Sequence, residues 1–290
     1  MFISTLLLGV MLGSIYALVA LGLTVQYGLA RIMNLAYGEI VIVASFAAFV
    51  LYSSIGINPV LTLIVAMPAG YFLSWVIYAI MMRPLVKRSG SRARLEVDTI
   101  LATFGLMFAL QGLLLVIFGG NFTGYTYLNT PVDVLGVTIA ANRVLAFGLT
   151  VLLGGALYYF VTFTRRGVAL RAVSTRPENA LLVGIDVNKT SRMAFALGGA
   201  LAASAGVVLS MYQTFTATSG VAFTMKALVV VILGGAGNPL GALCAGLLLG
   251  IVETFVSTYI DPGLTLAATY AIFLVVLLVR PTGLFGKAGI

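Results

Sequence analysis

The chain has 290 residues, 61% of them apolar and only 8% charged, with 16 Lys/Arg against 8 Asp/Glu and no histidine. A soluble domain of this length carries about 70 charged residues; at a mean hydropathy of +1.14 this chain has too little polar side chain to face water, and a disordered chain or coiled coil fails on the same shortage. Cys244 is the one cysteine, which excludes disulfides, Cys/His metal sites and a His-based triad, and no G-x-x-x-x-G-K-[ST] phosphate loop occurs.

What remains is an all-α polytopic membrane protein. Barrel strands alternate polar and apolar residues over about 10 positions, whereas these apolar runs are continuous and long enough for a helix to cross about 30 Å of hydrocarbon. In chain order they cover about 2–30, 34–54, 59–82, 99–118, 143–163, 192–212, 226–258 and 264–280. The seventh is interrupted, so the expectation is about eight transmembrane helices plus a re-entrant or broken one, in a single membrane domain over 1–290.

The basic residues supply the topology. Thirteen of the sixteen lie in 83–98, 164–192 and the C-terminal tail, while 119–142, 213–225 and 259–263 hold none. Basic loops stay in the cytoplasm, so the first three segments read as cytoplasmic and the second three as external. The net charge of +8 is then a topology signal, and no nucleic-acid partner is expected. Parity places the N-terminus outside and the C-terminus in the cytoplasm. Residues 1–30 lack a basic leader region, so the first span is expected to be retained.

Three segments stand out for function. The first is Arg31-Ile-Met-Asn34-Leu-Ala-Tyr37-Gly38-Glu39. It places an amide and a carboxylate where the second span begins, either lining a substrate path or resting at the interface in a first helical turn. The second, in cytoplasmic loop 164–191, runs from Arg165-Arg166-Gly167 through Arg171, Thr175, Glu178, Asn179 and Ala180 to Gly184. A capping box from Thr175 to Glu178 and a stop at Gly184 predict a short helix of about two turns, after a helical stretch at about 166–174. It would either rest on anionic headgroups or dock a soluble partner.

The third is the break Gly234-Gly235-Ala236-Gly237-Asn238-Pro239, which no regular helix tolerates. The arm before it, about 226–233, is predicted to be too short to cross. Broken helices expose backbone groups that can handle polar solutes, so Gly234, Gly235, Gly237 and Asn238 join Asn34, Tyr37, Gly38 and Glu39 as candidate pathway residues; a helix kink satisfied by its neighbours is the other reading. Small residues at Gly9/Gly13, Gly198/Ala202/Gly206 and Ala242/Gly246/Gly250 predict close helix packing. A proton-coupled secondary transporter using Glu39 or Glu253 stays open at this point; Glu253 reads better as a paired or interfacial group. An integral-membrane enzyme lacks a polar constellation to support it.

The stretches Gly13-Ser-Ile-Tyr16-Ala-Leu-Val-Ala-Leu-Gly22, Asn34-Leu-Ala-Tyr37-Gly38-Glu39, Arg166-Gly167-Val-Ala-Leu-Arg171 with Asn179-Ala-Leu-Leu-Val-Gly184, and Leu233-Gly-Gly-Ala-Gly237-Asn-Pro-Leu-Gly241 together resemble the LivH-type permease subunits of ABC importers for branched-chain amino acids and related amides or urea. The resemblance covers essentially the whole chain. It implies a bacterial inner-membrane importer in which this permease pairs with a second, homologous permease, two cytoplasmic ABC ATPases and an extracytoplasmic solute-binding protein. ATP and Mg would then sit on partner subunits, with no cofactor or metal in this chain. The loop 164–191 would be the coupling element inserted into an ATPase groove. One departure is Tyr37, which stands where the family usually has His, so no imidazole role carries over.

Overall fold

The computed structural model describes residues 1–30, 32–89, 92–134, 136–175 and 177–286; Arg31, Arg176, Lys287 and the side chain of Arg92 lie outside the described residues. Helix α1 (Phe2–Ala30) is followed by α2 (Tyr37–Ile55) and α3 (Pro59–Ile77), which continues through a π-helical turn, Tyr78–Met82, into α4 (Arg83–Arg88). Then come α5 (Arg92–Phe118), a hairpin of β1 (Pro131–Val134) and β2 (Val137–Ala140), α6 (Ala141–Phe163) and two short helices, α7 (Arg165–Thr175) and α8 (Pro177–Leu182). The chain closes with α9 (Val187–Ser210), α10 (Gly220–Gly234), α11 (Pro239–Tyr259) and, after a 3₁₀ turn, α12 (Thr265–Val279).

Among the described residues eight helices are long and apolar enough to cross a membrane, matching the predicted runs. The small antiparallel hairpin, with Val132 opposite Ile139, was not legible in the sequence. It closes one end of the bundle; α4 and α7, with their arginines and lysines, lie at the other with α8, and we call this the basic end.

Helix starts follow local chemistry. Asn58, Asp186 and Asn238 cap α3, α9 and α11 with their side-chain oxygens, and Pro59 and Pro239 occupy first-turn positions whose N–H has no helical partner. Many buried hydroxyls inside helices bond back to their own helix, as Thr24 does to the Ala20 carbonyl at 2.8 Å and Ser204 to Ala200 at 2.9 Å, so they cost little in an apolar surround; Ser74 and Thr269 are buried without such a bond.

The centre of the bundle is α1 and α9, with α11 antiparallel to α1. The predicted small-residue rows are the seam. A methyl group at Gly9 would meet the backbone of Ile251 and Gly250, one at Gly13 that of Leu247 and Gly246, and one at Gly22 the Gly198 carbonyl. Without side chains there, backbones close to contact distance and van der Waals packing replaces the hydrophobic drive that lipid removes.

Two stretches of irregular backbone turn inward. Residues 32–36 fold back from the basic end so that α2 starts about half-way along α1, where the Tyr37 hydroxyl donates to the Val19 carbonyl at 2.8 Å. Residues 211–219 descend from the hairpin end so that α10 starts at that same depth, with Gly220 against Gly38 and Glu39. This corrects the predicted arm of 226–233: α10 begins at Gly220, inside the segment 213–225 expected to be external loop. At 1.5 Å per residue its 15 residues measure about 22 Å, still short of a full crossing. Its C-terminal end reaches the basic end, where the break folds onto the tail: Leu284 N–H donates to the Leu233 carbonyl at 2.8 Å and Phe285 N–H to Gly234 at 3.3 Å.

Candidate translocation and coupling sites

The irregular segment 32–36 keeps its polar groups satisfied inside protein, as backbone at membrane depth must. Asn34 is the hub. Its Nδ2 donates to Gln26 Oε1 at 3.0 Å, Gln26 in turn donates to the Phe195 carbonyl at 2.9 Å, and Asn34 Oδ1 accepts from Ala36 N–H at 3.1 Å, starting α2. From α5, Thr103 Oγ1 accepts the Leu35 N–H at 3.1 Å. From α10, Thr224 Oγ1 accepts the Gly38 N–H at 2.8 Å and donates towards the Leu35 and Gly220 carbonyls, both at 3.2 Å.

The first turn of α10 thus meets the first turn of α2. Gly220 is where a side chain has no room: a methyl group would strike the Glu39 carboxylate. Glu39 is fully buried, and neither of its oxygens has a hydrogen-bond partner. It stands in the first turn of α2, against Gly220 at the start of α10, and a helix N-terminus carries a partial positive charge of about half a unit.

Asn34, Tyr37, Gly38 and Glu39 therefore come together, all buried. Gly234, Gly235, Gly237 and Asn238 do not join them. The break lies a full α10 length away at the basic end, where Gly237 touches Gly28 of α1 and Asn238 caps α11, accepting from Leu240 and Gly241 N–H at 3.1 and 3.2 Å. Gly235 and Gly237 have φ of 96° and 87°, conformations open to glycine at little cost, and this lets α10 turn into α11 within four residues. The two motifs are not in contact: the partners of 34–39 are Gly220, Thr224, Gln26 and Thr103. Tyr37 spends its hydroxyl on α1.

A second polar cluster lies on the other side of α10. Lys226 Nζ is 2.7 and 3.1 Å from the Glu253 oxygens and 2.6 Å from the Tyr16 hydroxyl, and 4.4 Å from the Tyr16 ring centroid. Glu253 is thus paired, in keeping with the sequence reading.

At the basic end Thr164 turns the chain from α6 into α7, donating to the Phe160 carbonyl at 2.6 Å and accepting from Gly167 N–H at 3.0 Å. Gly167 lies against the backbone of Phe160 and Val161, where any side chain would collide. Arg171 reaches back to the Thr162 carbonyl at 3.0 Å. Gly167 and Ala180 are buried and fasten α7 and α8 to the bundle; Arg166, Arg171, Thr175, Glu178, Asn179 and Gly184 are exposed.

The predicted short helices are present, but Thr175 ends α7, donating to the Arg171 carbonyl at 2.8 Å, and α8 starts only at Pro177. The predicted cap at Thr175 is one residue early, because Pro177 suits the first helical position. Gly184 stops α8 as expected, with Ile185 N–H donating to the Ala180 carbonyl at 3.0 Å. The apolar run before Gly184 forms an exposed ridge at the end of α8: Leu181, Leu182 and Val183 are 62, 86 and 73% exposed. A cavity of about 1020 Å³ opens beside it, bordered by Glu178, Asn179, Lys87 and Glu96.

The family described as branched-chain amino acid transport system / permease component matches residues 5–279. The high-affinity branched-chain amino acid transport system permease protein LivH of Escherichia coli K12 is 30% identical over 301 residues, covering 99% of this chain and 96% of that protein. LivH of Salmonella typhimurium is 29% identical over the same shares, and BraD of Pseudomonas aeruginosa is 30% identical over 311 residues, again 99% of this chain and 96% of its own length. With the match spanning nearly every membrane helix, the chain belongs to the branched-chain amino acid transport permease family.

Proposed function

We propose that this chain is the membrane-spanning permease subunit of an ATP-binding cassette importer for branched-chain amino acids or related small amides or urea, with its basic end in the cytoplasm of a bacterial inner membrane and its N-terminus outside. ATP and Mg are handled by two separate ATPases that dock on the basic end. A second permease of the same kind completes the membrane unit, and an extracytoplasmic binding protein delivers the solute. The observation that carries the reading is the surface of α7 and α8. Leu181–Val183 expose an apolar ridge, and Glu178 on the same short helix and Arg171 on the preceding one are exposed with it. Exposed apolar surface rimmed by charge is what a protein partner covers.

In this reading ATPase closure pushes on α7 and α8, which Gly167 and Arg171 hold against α6. The movement passes to α1, α9 and α10 and parts the N-termini of α2 and α10, where Glu39 accepts the ammonium of an amino solute and freed N–H groups of the two helix ends face its carboxylate. To test the docking step, Leu182→Asp and Glu178→Ala are introduced together and ATPase co-purification is measured beside thermal unfolding of the chain. The expected result is loss of the ATPase with unfolding unchanged, because these side chains are exposed; ATPase retained at the original level removes the coupling assignment.

A further inference from the structure

On the flank of the bundle, near the basic end, α3, α7 and α9 enclose a cavity of about 480 Å³ whose walls include Tyr71, Trp75, Arg166, Lys189 and Arg192. Three cations line it and no carboxylate does. None of the three is seen in an ion pair among the described residues. The Arg192 guanidinium stacks on Trp75, 3.4 Å from the ring centroid, and its Nε is buried without a hydrogen-bond partner. Like charges converging on one cavity repel, and a buried donor left unsatisfied is costly. Both penalties end when an anion with several acceptor oxygens enters.

The position of the cavity decides which anion. Tyr71 and Trp75 belong to a membrane-spanning helix, on which the neighbouring Phe72 and Ile80 are 64 and 69% exposed, so this side of α3 faces hydrocarbon. Tryptophan and tyrosine sit where bilayer meets water, and basic pockets between helices at the cytoplasmic side take anionic headgroups. We propose that this cavity binds the phosphodiester headgroup of one anionic phospholipid, with Arg192 and Lys189 on the phosphate oxygens and its acyl chains along α3. Arg166 brings α7 into the same site, so the bound lipid ties that helix to the plane of the bilayer. An acidic segment of a soluble protein is disfavoured because the walls lie beside an apolar span and not beyond its end.

The test uses the full-length chain purified with its co-purifying subunits and reconstituted in phosphatidylcholine with and without phosphatidylglycerol. Native mass spectrometry counts the anionic lipid retained. Each basic side chain near the surface contributes about fivefold to anionic-lipid affinity, so Lys189→Gln with Arg192→Gln should weaken phosphatidylglycerol retention by roughly thirtyfold and leave ATPase co-purification intact. Lys189 is exposed, so Lys189→Gln alone keeps the fold and should still cost about fivefold. Lys189→Arg, which keeps the charge, should retain the lipid. Unchanged phosphatidylglycerol retention in both Gln variants overturns the proposal, as does loss of the ATPase with retention unchanged, which would make the cavity a protein-docking site.

Discussion

Two carboxylates lie inside this bundle on opposite sides of α10, and they are treated in opposite ways. Glu253 is clasped by Lys226 at 2.7 and 3.1 Å, and Lys226 is itself held by the Tyr16 hydroxyl. Glu39 is fully buried yet accepts no hydrogen bond among the described residues; it stands in the first turn of α2 against the first residue of α10. A charge in an apolar surround is strongly disfavoured unless something offsets it. A lysine does so locally and permanently. Helix termini do so only while the two helices stay together, so the first cluster fastens α1, α10 and α11, and the second is the joint that opens in the proposed function.

The sharpest way to break this contrast is to take one partner from the clasp. Glu253→Ala leaves the Lys226 ammonium inside the bundle with only a phenol for company. Removing one member of a buried pair costs about 3 to 5 kcal/mol, and we expect a loss towards the lower end because both side chains keep some exposure, 17% and 12%. Unfolding of the purified chain in detergent reads this directly, and Lys226→Met in the same chain should restore most of it, since an apolar replacement of the whole pair is often neutral. A single variant as stable as the parent would show that the clasp contributes nothing. The next effect down is Gly220→Ala. The added methyl overlaps the Glu39 carboxylate, so either that side chain or α10 must shift, at a cost of up to about 1 to 3 kcal/mol. Combined with Glu39→Ala, which vacates the space, that cost should fall; a cost that persists in the pair would place the crowding elsewhere.

The clasp and the joint were unequally visible in the sequence. Membrane spans announce themselves as apolar runs, and the break at Gly234–Pro239 is punctuated by residues that stop helices, so both were found nearly in place. The start of α10 was not. Residues 213–225, Gln-Thr-Phe-Thr-Ala-Thr-Ser-Gly-Val-Ala-Phe-Thr-Met, are rich in Thr and contain no Lys or Arg, which reads as an external loop. In the fold Thr214 and Thr218 are exposed but Thr216 and Thr224 are buried: Thr224 bonds Gly38 and Leu35, and Thr216 and Ser219 bond one another at 3.0 Å. A polar side chain looks alike in sequence whether water or another backbone satisfies it. Gln26 and Thr103 were passed over for the same reason, each a lone polar residue in an apolar run whose partner lies on another helix. Asn34 and Glu39 were found because a carboxylate and an amide stood beside glycines at a span boundary, a density of signal that Thr103 lacks.

The joint itself is probed by Glu39→Gln, the mildest of these changes in structure. The amide keeps the shape and removes the charge. It gives up the attraction of two helix ends, worth about 0.3 to 1 kcal/mol each, and also gives up the cost of holding an ion in an apolar site. These terms oppose one another, so thermal unfolding should move by less than about 1 kcal/mol, far less than for Glu253→Ala. Uptake should respond differently. An amide oxygen is a weaker acceptor for an ammonium than a carboxylate, and a charged hydrogen bond is worth about 1.5 to 3 kcal/mol, so transport of an amino solute should drop by about tenfold or more. A neutral amide, which brings no ammonium, should lose much less. If Glu39→Gln lowered stability as much as Glu253→Ala and slowed charged and neutral solutes alike, the carboxylate would be a second fastening, and the division of labour across α10 would disappear.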